Sequence, residues 1–239
     1  MRQIIQLERI LQSQGFGSRK QCRQLIESGR VSVAELVCFE PQQDFATDKL
    51  QFAVDGHPWQ FRDKVYLMLH KPPGYECSRN PQHHPSVLSL LPQPLVERGV
   101  QPVGRLDEDT SGLLLLTDDG PWLHRLTHPK RHVPKRYLAS LKHAVDPALI
   151  EALQQGVLLH GESETLAARD VCADGTHGVW LSIDQGKYHQ VKSMVAAAGN
   201  RVEGLHRQAF GRLELAALRP GEWCYLTAEQ CQLAAEARC

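Results

Sequence analysis

Apolar residues in this chain follow two different spacings. Near the start, Leu7, Ile10 and Leu11 form one stripe at helical intervals, and Cys22, Leu25 and Ile26 form a second. Ser18 with Gln21 makes an S-x-x-Q capping box ahead of the second stripe, and Gly29 follows it, so the pattern predicts two helices with the second ending at Gly29. Gly29–Arg30–Val31–Ser32–Val33 then opens a strand. Farther on, Val65–Tyr66–Leu67–Met68–Leu69 and Leu113–Leu114–Leu115–Leu116 are unbroken apolar runs, the signature of buried strands, and Thr117–Asp118–Asp119–Gly120 is a turn signal closing the second. Leu138–Ala139–Ser140–Leu141 is a further strand-like run. Val195–Ala196–Ala197–Ala198, closed by Gly199–Asn200, predicts a helix with its C-cap.

These elements divide near residue 60. Residues 1–60 form a small helix-and-strand segment, Asp55 to Asp63 the connection, and residues 61–239 a larger domain. The stretch from Tyr75 to Pro102, punctuated by prolines, is expected to be irregular, and a long irregular segment inside a domain is more often functional than idle.

Formal charge is zero, but it is unevenly distributed. Residues 1–31 hold Arg2, Arg9, Arg19, Lys20, Arg23 and Arg30 against Glu8 and Glu27, a net of plus four, which leaves minus four for the remainder. A basic end on a mildly acidic protein suits a polyanionic partner as well as a solvated helix face. Arg19 and Lys20 fall in the first turn of the second helix, where the macrodipole disfavours cations, and this adds weight to phosphate binding. Ile4 and Ile5 are the only consecutive apolar residues before Gln6, so neither a leader nor a membrane span is expected, and a cytoplasmic location is expected. Seven cysteines without a C-x-x-C pair read as reduced thiols. His124, His128 and His132 recur every four residues, but Pro129 interrupts the helix that would align them, so no metal site is expected there. No cofactor is expected either: neither G-x-x-x-x-G-K-[ST] nor a strand-linked G-x-G-x-x-G occurs.

The densest chemistry lies in Gly104–Arg105–Leu106–Asp107–Glu108–Asp109–Thr110–Ser111–Gly112, a loop feeding the leucine run. Asp107, Asp109, Ser111, Gly112 and Asp118 approach an EF-hand pattern. Asp118 is too short for the bidentate twelfth ligand, Leu115 stands where an oxygen donor belongs, and the flanks suit a strand better than helices.

With its leucines, this loop resembles the G-R-L-D-x-D-T-S-G-L-L-L-L-T signature of pseudouridine synthases, in the branch that modifies ribosomal RNA. Lys71–Pro72–Pro73–Gly74 resembles that family's K-P-x-G motif, Lys135–Arg136–Tyr137 its K-x-Y context, His189–Gln190–Val191–Lys192 its H-Q-[VI]-[KR], and Val202 to Arg207 its V-x-x-L-x-R element. The resemblance implies Asp107 as catalytic carboxylate, Tyr137 as active-site tyrosine and Lys192 as basic partner of Asp107, with Arg105, Leu205 and Lys71 at the substrate. The arrangement L-x-x-I-L…G-x-x-S-R-K…L-I-x-S-G-R-V from Leu7 to Val31 resembles the S4 RNA-binding domain, which implies RNA contacts for Arg19, Lys20, Arg23 and Arg30; Ala34–Glu35–Leu36 stands where that domain usually has V-N-G.

The implied fold is α+β, a small S4-like RNA-binding domain plus a synthase domain built on a mixed, mostly antiparallel sheet. The implied reaction converts a uridine of ribosomal RNA to pseudouridine without cofactor or metal. Pro121 to Thr127 and Lys187 to Lys192 are most similar to the small-subunit branch, which points to uridine 516 of 16S rRNA, free or in an assembling small subunit. A monomer without membrane contact is expected. The alternatives are a large-subunit enzyme acting on 23S rRNA and a non-catalytic rRNA-binding assembly protein.

Overall fold

The computed structural model describes residues 3–215 and 217–236. The chain divides into two compact units: one runs to Val65 and takes in Leu91–Gln101, and the other holds Tyr66–Leu90 and the chain from Pro102 onward.

In the first unit, β1 (Ile4–Gln6) leads into α1 (Leu7–Ser13), and α2 (Arg19–Glu27) follows. Both bonds of the Ser18–Gln21 capping box form, and Gly29 takes the left-handed φ of 72° that stops the helix. The two apolar stripes bury Leu7, Ile10, Leu11, Cys22 and Ile26 against Val31, Val33, Phe52 and Val54. The strands β2 (Val31–Val33), β3 (Leu36–Cys38), β5 (Gln51–Val54) and β6 (His57–Gln60) form an antiparallel sheet in the order β3-β2-β5-β6, while β4 (Asp44–Ala46) pairs with β1. Ala34 and Glu35 join β2 to β3 with φ of 49° and 66°. Two consecutive left-handed residues are what a two-residue hairpin turn with the twist of its strands requires. The departure from V-N-G therefore keeps a tight turn, at the cost of steric strain. The helix α3 (Gln93–Glu97) belongs to this unit; beyond it, Arg98 donates to the Gln14 side chain at 2.7 Å and to the Arg62 carbonyl at 2.9 Å.

In the second unit, seven strands are β7 (Tyr66–Lys71), β8 (Thr110–Thr117), β9 (Lys135–Leu141), β10 (Arg169–Asp174), β11 (Gly178–Ile183), β12 (Val202–Phe210) and β13 (Trp223–Tyr225). They lie in the order β10-β11-β9-β12-β8-β7-β13. Their pairings are antiparallel except β12 with β8, which is parallel, so the sheet is mixed and mostly antiparallel. Leu113 to Leu116 are all fully buried; β8 is a central strand covered on both faces, which is why its sequence does not alternate. The helices are α4 (Gly120–Thr127), α5 (Pro147–Gln155), α6 (Gln190–Ala197) and α7 (Ala228–Leu233). α4 ends before Pro129, so His124, His128 and His132 do not share a helix. The stretch from Tyr75 to Pro102 is more ordered than its prolines suggest, with a 3-10 turn at Val87–Leu90 and α3.

Candidate active site

The acidic loop is shaped from beneath. Gly112 has φ of 109°, and a β-carbon there would lie 2.3 Å from the Arg207 carbonyl oxygen. Only glycine allows β8 and β12 to approach this closely, in the parallel register that sets Leu205 beside Thr110 and Arg207 beside Gly112. The loop is also held by Lys71 at the end of β7. Its side chain is fully buried, and its ammonium donates to the carbonyls of Pro72, Asp107, Glu108 and Thr110 at 2.9–3.1 Å. Burial pushes the Lys71 pKa below the usual lysine value, while nearby Cys77, Glu108, Asp109 and Asp107 oppose that shift. Gly74 adds a backbone bond to the Glu108 carbonyl. Lys71, expected at the substrate, instead gives its donors to the loop backbone, and it does not line the cavity described below.

Lys192 projects from the first turn of α6, and its ammonium lies 2.6 and 2.8 Å from the two oxygens of Asp109 and 3.3 Å from Asp107 Oδ2. The lysine expected to pair with Asp107 thus bridges two acids and lies nearer to Asp109. Burial alone would lower the Lys192 pKa, but its bond to Asp109 and the charges of both aspartates hold it above the ordinary range. Burial likewise tends to raise the Asp109 carboxyl, and Lys192 outweighs it and keeps it low. On the other side of Asp107, His189 Nε2 approaches Oδ1 at 3.4 Å. His189 caps α6 in a left-handed conformation with φ of 50°.

A cavity of about 590 Å³ opens beside these groups, lined by Asp107, Tyr137, Leu205 and Arg105 among others. Tyr137 and Leu205 are almost fully buried, and Arg105 is exposed. Among the cations at the cavity that were not singled out by the sequence are Lys135 and Arg207. Lys135 lies on β9 two residues before Tyr137, and burial, then the charge of Arg207, pushes its pKa down to about 8. Arg207 lies two residues after Leu205 on β12, is 2 % exposed, and donates from Nε to the Leu113 carbonyl at 2.8 Å. Its Nη2 is buried with no hydrogen-bond partner among the described residues. The two-residue period of a strand was the available signal, since it sets Lys135 on the face of Tyr137 and Arg207 on the face of Leu205.

In the first unit, the basic residues expected at phosphate have protein partners. Arg19 and Arg23 both pair with Glu8, whose side chain is fully enclosed. These bonds hold the Glu8 carboxyl below its usual range. Arg30 makes a two-pronged pair with Asp55 at 2.6 Å. Glu8 therefore offsets the unfavourable placement of Arg19 in the first turn of α2. Lys20 is exposed and has no such partner among the described residues.

The RNA pseudouridylate synthase family matches residues 65–197. An RNA pseudouridine synthase of Bacillus subtilis is 36% identical over 233 residues, covering 96% of this chain and 98% of that protein. Ribosomal small subunit pseudouridine synthase A of Vibrio parahaemolyticus is 41% identical over 219 residues, 89% of this chain and 92% of that one. The protein of the same description from Escherichia coli K12 is 43% identical over 180 residues, 74% and 78% of the two chains. A crystal structure of a pseudouridylate synthase superposes with a TM-score of 0.68 and 32% identity, covering 96% of this chain and 99% of the other.

Proposed function

Since this chain belongs to the RNA pseudouridylate synthase family and is an isomerase acting on RNA, we propose that its substrate is a uridine of small-subunit ribosomal RNA, at position 516 of 16S rRNA. The cavity is the uridine site. The observation that carries this reading is Lys192, whose ammonium lies against both Asp107 and Asp109 beside a pocket walled by Tyr137 and Leu205.

The reaction breaks the C1′–N1 bond, turns the base, and forms C1′–C5. N1 gains a proton and C5 loses one, so no atom is added and no electron acceptor is needed. Asp107 is the carboxylate that meets C1′, as a nucleophile or by stabilising positive charge there. A base leaving its stack costs a few kcal/mol, and the Tyr137 ring recovers about 1–3 kcal/mol by stacking on it. Lys135 and Arg207 supply donors for the uracil carbonyls as the base turns. Within the first unit, roughly residues 1–60 form an S4-like domain, and Lys20, with no acidic partner among the described residues, is a cation it offers to phosphate. The protein acts as a monomer.

Carbodiimide modification and primer extension on unmodified 16S and 23S rRNA test the substrate assignment. A single new stop in 16S RNA after incubation with the protein is the expected result. A stop in 23S RNA alone would move the substrate to the large subunit, and no stop in free or particle-bound RNA would overturn the reading.

A further inference from the structure

From Gly120 to Val145 the chain contains no aspartate or glutamate, yet it carries Arg125, Lys130, Arg131, Lys135, Arg136 and Lys142 in a protein of zero formal charge. This run includes α4 and the 3-10 turn Pro129–Arg131. Arg125, Lys130 and Arg131 line one shallow hollow together with His124 and His128. His128 and Lys130 also line the catalytic cavity, so the hollow and the cavity share a rim.

The three strong cations are exposed, and none of them has an acidic partner among the described residues. In the first unit, by contrast, Glu8 and Asp55 are set against Arg19, Arg23 and Arg30. The negative end of α4 favours His124 and Arg125, but Lys130 and Arg131 lie past the last turn, where the helix dipole fades. Clustered like charges repel one another, so their placement calls for an anionic partner. The partner is not a membrane surface, because none of the large exposed apolar side chains falls within this segment.

We propose that this rim is a docking ledge for the RNA backbone, with Arg125, Lys130 and Arg131 binding phosphates beside the extruded uridine; the inference rests on the cavity being the uridine site. Arginine binds phosphate through two parallel bonds and lysine as a point charge, so the set suits phosphodiesters without reading sequence. The ledge gives the strand a direction across the cavity mouth.

The test measures the affinity of the full-length protein for an unmodified 16S rRNA transcript across a range of salt concentrations. Each lost phosphate contact on a single strand makes the log–log slope shallower by about 0.7. The triple variant Arg125→Gln/Lys130→Gln/Arg131→Gln should therefore lose about 2 from the slope. Arg125→Lys/Arg131→Lys, which keeps the charges, should retain most of it. Lys142→Gln/Arg201→Gln changes two exposed cations that line neither cavity nor hollow, and should leave the slope unchanged. An unchanged slope in the triple variant, or an equal fall in the control pair, overturns the ledge. Conversion by the wild-type protein in the same samples judges the uridine site separately. Conversion with an unchanged triple-variant slope removes the ledge alone, whereas a shallower slope without conversion keeps an RNA surface and removes the uridine reading.

Discussion

The Lys192 ammonium is closer to Asp109, at 2.6 Å, than to Asp107, at 3.3 Å. Asp109 therefore holds the lysine in place, with its ammonium facing Asp107. Asp109→Asn should lower turnover by about tenfold, or about 1.4 kcal/mol of barrier, since Lys192 can still swing onto Asp107. Lys192→Met removes the only ammonium that reaches both acids among the described residues, and should cost about a thousandfold or more, on the order of 4 kcal/mol. Single-turnover rates on saturating RNA would check the ranking. Equal losses in the two variants would contradict it.

Lys71 is a positioning residue, since it meets the loop backbone and not the cavity. Lys71→Met should reduce stability by about 2–4 kcal/mol in urea unfolding, because several loop carbonyls lose a charged donor inside the protein. Turnover should fall with it. Lys71→Arg should not rescue either property, since a flat guanidinium cannot take the place of an ammonium among four converging carbonyls. Full stability in Lys71→Met would show that the buried bonds contribute nothing net.

Much of this arrangement was legible in the sequence. The capping box at Ser18, the unbroken leucine run and the Gly199–Asn200 stop each led to an element found where expected. Asp107, Tyr137, Lys192, Leu205 and Arg105 come together around one region. What the sequence did not announce shares a physical cause, which is that burial and pairing depend on contacts between distant residues. A lysine is ordinarily expected at the surface, so nothing local to Lys71 announced four carbonyls around it. Nor did the helix-dipole argument at Arg19 and Lys20 foresee Glu8, eleven residues before Arg19 and on another helix. The choice of Asp109 over Asp107 by Lys192 turns on the register of α6 against the loop, 83 residues away.

Lys135 gives a pH-dependent test. Its folded pKa of about 8 lies below the ordinary 10.5. Between these values the unfolded chain binds more protons than the folded one, so stability rises with pH from about 8 to 10.5, and the penalty is fully present below pH 8. Lys135→Met should raise stability by about 1–2 kcal/mol at pH 7, with the gain vanishing as pH approaches 10.5. Urea denaturation at pH 7, 8.5 and 10 would follow it. A variant less stable at pH 7 and equal at pH 10 would contradict the assigned penalty.

Ala34 and Glu35 occupy left-handed conformations that asparagine and glycine tolerate better. Ala34→Asn/Glu35→Gly should therefore stabilise the protein by about 1–2 kcal/mol, net of the extra freedom glycine gives the unfolded chain. Thermal unfolding followed by circular dichroism measures the gain. A lower midpoint would mean that the turn is not strained in solution.

The most direct test of the account is release of tritium from RNA labelled at C5 of uridine, compared between the wild-type protein and Asp107→Asn, with RNA affinity measured on the same preparations. Wild type should release tritium from 16S RNA, while Asp107→Asn should bind with nearly unchanged affinity and release it at least about a thousandfold more slowly. Release by Asp107→Asn within tenfold of wild type would contradict the assignment of Asp107 as the catalytic carboxylate.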